Sequence, residues 1–147
     1  MPFQIKPPVE KEFFLVKTDK EFGDEEGATK ISVRQAATGE VTSRNNLFTD
    51  FKRTYEVDGD ITVTQHISFD DIKRYEVYLT LSACNIIGLD GNPLFTFNKG
   101  RLKDEAAFKI AWDLLPVTAS REIHSKVLDM NPQWPREGDE IEMGEDE

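Results

Sequence analysis

The chain reads as an α+β domain, with a small antiparallel sheet in the N-terminal half packed against a mainly helical C-terminal half. Three observations lead there. Short runs with period-two alternation fall before residue 68. Longer stretches with apolar residues every three or four positions fall after it. Ten Phe, three Tyr and two Trp supply a core that 31% charged and 38% hydrophobic residues would otherwise leave thin, and they separate this chain from a disordered one. A length of 147 residues suits one domain, large enough to bury a core without covalent staples.

Residues 1–11 contain Pro2, Pro7 and Pro8 and read as an extended arm, because each proline lacks a donor and biases its predecessor away from helix. The single α+β domain spans 12–134, and 135–147 reads as a disordered acidic tail. Within the domain, Glu12–Thr18 is short, apolar and rich in strand formers, so it predicts a first strand. Asp19–Gly27 reads as an acidic loop, and Thr29–Val33, where Ile31 and Val33 alternate with Lys30 and Ser32, as a second strand. A helix is expected over Val41–Tyr55 from Phe48, Phe51 and Tyr55, after an interruption at Gly39. The turn Asp58-Gly59-Asp60 precedes a third strand over Ile61–Ile67.

Ser68 is a good N-cap, and Asp70 and Asp71 follow in the first turn, where they suit the helix dipole. Phe69, Ile72, Tyr75, Tyr78, Leu79, Ser82, Ala83 and Ile86 then recur at spacings of three and four, which predicts a helix ending near Asn85–Gly88. Asp90-Gly91 marks a turn, and Pro93–Phe97 a short extended segment. Two further helices are expected, Lys103–Leu115 and one from Pro116 or Thr118 to Met130, the latter closed by Asn131-Pro132. The expected core is Phe14, Val16, Ile31, Val33, Phe48, Phe51, Ile72, Leu79, Phe108, Trp112, Ile123 and Val127.

Charge narrows the partners. The net charge is −10, which opposes nucleic-acid binding, since that affinity comes from cations neutralising phosphates. An anionic membrane surface is disfavoured for the same reason. From Pro135 to Glu147, seven acidic residues face the one base Arg136, so most of the charge sits in this stretch and the body is only mildly acidic. One cysteine, Cys84, allows no internal disulfide. The first residues lack the apolar run of a signal peptide, and no window has the ~20 apolar residues of a membrane span, which makes the cytoplasm the expected compartment.

The residues offer little to catalysis, so no catalytic, cofactor or metal site is expected. Nucleophilic chemistry needs a thiol or hydroxyl beside a base. Cys84, on the predicted long helix, reads as a core thiol, and nothing in the spacing ties it to His66 or His124. Two histidines and one cysteine make no zinc cluster. Asp90-Gly91-Asn92 lacks the further ligands of a calcium loop. The nine glycines match no phosphate-binding motif. Trp112 lies on an apolar helix face and reads as core. Trp134 has two readings: it folds back onto the body, or it is an exposed anchor for a protein partner, since tryptophan is enriched among interface hot spots.

Several stretches together carry a resemblance. They are Ile31-Ser32-Val33-Arg34-Gln35-Ala36-Ala37-Thr38-Gly39, Asn45-Asn46-Leu47-Phe48, Glu76-Val77-Tyr78-Leu79-Thr80-Leu81 with Cys84-Asn85-Ile86, Asp90-Gly91-Asn92-Pro93-Leu94-Phe95, Phe108 to Pro116, and Glu122-Ile123-His124 through Asn131-Pro132-Gln133-Trp134. Over about residues 12–134 the chain resembles the tail assembly chaperones of tailed bacteriophages. The resemblance implies a non-enzymatic protein of the host cytoplasm that binds the long, helical tape measure protein, assists tail-tube assembly and contacts tube subunits and itself. Two alternatives stand beside it: a structural virion protein (a head–tail connector, tail or decoration subunit), and an acidic inhibitor of a host enzyme.

Overall fold

The computed structural model describes residues 1–47 and 68–136. The fold is α+β. A sheet of three antiparallel strands has the order β1-β2-β3, with β1 at Glu10–Phe14, β2 at Lys30–Arg34 and β3 at Leu81–Cys84. Helix α1 (Val16–Phe22) lies between β1 and β2, and α2 is helical over the described residues 38–47. Helix α3 (Phe69–Thr80) runs straight into β3. A small hairpin, β4 (Phe97–Asn98) and β5 (Arg101–Leu102), leads to α4 (Glu105–Asp113) and α5 (Val117–Met130). Helix α5 packs on α3, α1 and β2 and so forms the spine of the domain.

The run Glu12–Thr18 proves to be two elements. The strand starts earlier, at Glu10, inside the expected arm, and it stops at Phe14, where Leu15 turns the chain into α1. Leu15 is fully buried, whereas Phe14 and Val16 are about half exposed (49% and 47%), so the expected core positions on either side of it are corrected. A pivot is favoured because it seats Leu15 in the core and turns Phe14 and Val16 outward.

Among the described residues the third strand of the sheet is β3, a stretch whose spacing predicts the end of a helix. Ile61–Ile67 lies outside the described residues, as do Phe48, Phe51, His66 and most of the helix expected over Val41–Tyr55. The described part of that helix starts earlier, at 38, and includes Gly39. Helix α3 begins as expected, with the Ser68 hydroxyl accepting from the Asp71 amide. It ends at Thr80 and not near Gly88, because Leu81 takes an extended conformation and pairs with Val33. Helical spacing through Ser82, Ala83 and Ile86 is outweighed by the burial of Leu81 and the ladder bonds to β2. The ladder shifts register between Ser32 and Val33. The hydroxyl of Ser82 lies there within hydrogen-bond distance of the Ser32 carbonyl (3.1 Å) and the Glu10 carboxylate (2.7 Å).

The remaining expectations for α4 and α5 hold with small shifts. Asp104 caps α4 by accepting from the Ala107 amide, and α5 ends at Asn131. The core joins Leu15, Ile31, Val33, Val77, Leu81 and Ile123 to an aromatic chain in which Phe108 lies 5.4 Å from Phe95, 5.5 Å from Tyr78 and 5.8 Å from Trp112 between ring centroids. Ile72 and Val127 are buried and Leu79 is half-buried.

Candidate interaction surface

Cys84 sits on β3 and not on a helix. Burial pushes its thiol up to about 11, so it is protonated near neutrality and a poor nucleophile. His124 lies in a buried group in which its Nε2 is 2.7 Å from Glu76 Oε1, while Arg44 Nε donates to Glu76 Oε2 at 2.8 Å. All three side chains are buried. Among the described residues no group of three His, Cys, Asp or Glu side chains is arranged to hold a metal ion. Nor is any helix there long and apolar enough to cross a membrane. Asp90-Gly91-Asn92 is a turn closed on itself, with Asp90 accepting from the Asn92 amide at 3.0 Å.

Trp134 is 3% exposed and belongs to the core cluster, which corrects the reading of it as an exposed anchor. The cause is Asn131. Its Oδ1 accepts from the Ala36 amide at 2.7 Å, its Nδ2 donates to the carbonyls of Val127 (3.0 Å) and Arg34 (3.3 Å), and its own carbonyl accepts from the Trp134 amide (3.1 Å). The end of α5 is thereby tied to the end of β2, and the chain turns the indole inward.

Three carboxylates do structural work that local sequence does not announce. Glu122 of α5 accepts from the amides of Lys17 and Thr18 (both 2.9 Å) and from the Thr18 hydroxyl (2.8 Å), so a residue more than a hundred positions away caps α1. Asp19 accepts from the Thr29 hydroxyl and from the amides of Thr29 and Gly27, and these bonds hold its carboxyl below the usual value. At Gly27 the backbone takes φ +81°, a conformation that favours glycine. Burial pushes Glu40 up, but the fork from Arg34 (2.7 and 2.6 Å) and the Ala37 amide outweigh it and leave its carboxyl lowered.

One surface suited to a partner lies where α3 meets the α4–α5 elbow. A cleft of about 340 Å³ opens there, with Trp112, Leu115 and Val117 as its apolar wall and Lys73, Arg74 and Arg121 among its rim residues; Asp70 and Asp113 also line it. A second cleft of about 180 Å³ continues along α5 over Phe69 and Leu128 to Arg136, sharing Lys73 and Arg121 with the first. Near the elbow, Ile110, Leu114 and Val117 are exposed. The acidic loop after α1 lies on another surface, where Asp24, Glu25 and Glu26 line a separate cavity of about 540 Å³. The protein is acidic overall, yet this face combines apolar contact area with a cluster of cations. Sequence alone missed it, because Lys73 and Arg121 come from different helices and read separately as solvated charges. Compared with protein-family models, curated proteins and solved structures, the chain matches none.

Proposed function

We propose that this protein is a non-enzymatic tail assembly chaperone of a tailed bacteriophage, which binds the helical tape measure protein in the host cytoplasm and assists assembly of the tail tube around it. The observation that carries the reading is the cleft between α3 and the α4–α5 elbow, with its apolar wall of Trp112, Leu115 and Val117 and its rim of Lys73, Arg74 and Arg121. An amphipathic helix with an apolar stripe and acidic flanks is the ligand such a groove suits. Cations at the rim would steer that helix and set its register, while the apolar wall would supply most of the affinity. The stretches in which the chain resembles tail assembly chaperones suit the same kind of partner.

The test is co-expression of this chain with the long, helix-rich product of a neighbouring gene, comparing the parent with Val117→Asp and Arg121→Glu. Both substituted residues are exposed, so folding is expected to survive. The reading expects co-purification with the parent and at least about a tenfold loss with the double variant, the change that about 1.4 kcal/mol produces. Equal recovery with both would overturn it.

A virion-structural role has one observation in its favour. Residues 1–9 are exposed, with Phe3, Ile5 and Val9 uncovered, and they lead into β1, whose outer edge has no strand partner among the described residues. Such an arm and edge suit permanent contacts between subunits. Mature particles containing the protein would favour that role, and particles free of it the chaperone.

A further inference from the structure

We infer that the acidic segment 137–147 of this chain docks across its own basic cleft and competes there with acidic helices. The inference regulates the same surface and so rests on the reading of it as a binding face. The segment holds seven acidic residues and no basic one, and it follows directly on Arg136, which lines the second cleft. Lys73 and Arg121 line both clefts and make the face continuous. Arg121 is exposed and makes no ion pair among the described residues. Arg136 pairs with Asp129 at 2.8 Å, but both side chains are about half exposed, so the pair can exchange partners. Asp70 and Asp71 sit 3.5 and 3.2 Å from Lys73 and Arg74 and offset part of the positive charge.

Reach is sufficient. Eleven residues span at most roughly 36 Å when extended. The cleft runs beside α5 from Leu128 to Val117, about 16 Å at the helical rise of 1.5 Å per residue. Tethering beside the site gives the segment a local concentration on the order of millimolar, which populates contacts too weak to form between separate molecules. A partner helix with both acid and an apolar stripe would displace it, because the segment has charge but only Ile141 and Met143 as sizeable apolar side chains.

The experiment places a nitroxide on Met143→Cys in the otherwise intact ¹⁵N-labelled chain and reads paramagnetic broadening of backbone amides, with the parent chain treated identically as control. The expected result is selective loss of intensity around Lys73, Arg121 and Ser125, which recovers with Arg121→Gln and in about 1 M NaCl, where the Debye length falls to about 3 Å. Broadening that is absent, even over the whole surface, or centred elsewhere would overturn the inference. So would broadening seen only when labelled and unlabelled molecules are mixed, since a second copy would then be the occupant. The measurement uses no partner, so its failure is distinguishable from failure of the chaperone reading, which co-purification decides.

Discussion

Glu76 of α3 and His124 of α5 meet inside the core at 2.7 Å between Oε1 and Nε2, and Arg44 closes the same carboxylate from the other side at 2.8 Å. The contact fastens two helices that pack on each other, and Glu76 is only 1% exposed. Removing the carboxylate would take its acceptor atoms away from two buried donors. Glu76→Ala is expected to destabilise the fold by about 3–5 kcal/mol. Glu76→Gln, which keeps the shape and one acceptor, should cost less. Urea denaturation of both variants checks the ranking, and the reverse order would refute it.

The cap that Glu122 places on α1 predicts a local effect as well as a global one. Glu122→Ala should cost about 1–3 kcal/mol, because the amides of Lys17 and Thr18 lose their acceptor. Hydrogen exchange should quicken most at those two amides. Uniform quickening across the domain would show that α1 does not open separately.

Trp112 and Trp134 are both buried but differ in their neighbours. Trp112→Ala removes a side chain packed on Phe108 and should cost about 3–5 kcal/mol through the cavity left behind. Trp134 Nε1 has no hydrogen-bond partner in the described structure, so Trp134→Phe loses only packing and should be milder. Denaturant melts of the two variants decide this, and a loss below about 1 kcal/mol for Trp112→Ala would remove it from the core.

Asp19 makes stability depend on pH in a stated direction. Its carboxyl is lowered from the ordinary 3.8 by the bonds from Thr29 and Gly27. A depressed carboxyl stabilises the fold above its unfolded value, and that contribution disappears as pH falls through the folded value. The difference in melting midpoint between the parent and Asp19→Asn should therefore be full near pH 5 and shrink as pH falls below the ordinary 3.8. A constant difference would mean the charge on Asp19 is immaterial.

Local signals determined much of the fold. Ser68 capped α3, Asn131 closed α5, and alternation around Ile31 and Val33 located β2, because each of these acts within one helical turn or one strand. The α+β class and the burial of Phe108, Trp112, Ile123 and Val127 were legible for the same reason. Tertiary structure alone decided where α3 stopped: Ser82, Ala83 and Ile86 continue the helical spacing, and only the pairing of Leu81 with Val33, far away in sequence, selects the strand. It also decided the inward turn of Trp134, which depends on Asn131 reaching Ala36 and Arg34. Glu122 and the basic cleft belong to the same class. Cations and carboxylates scattered along the chain look alike as solvated charges until packing of α3, α5 and α1 sets them against their partners, and no interval along the sequence encodes that juxtaposition.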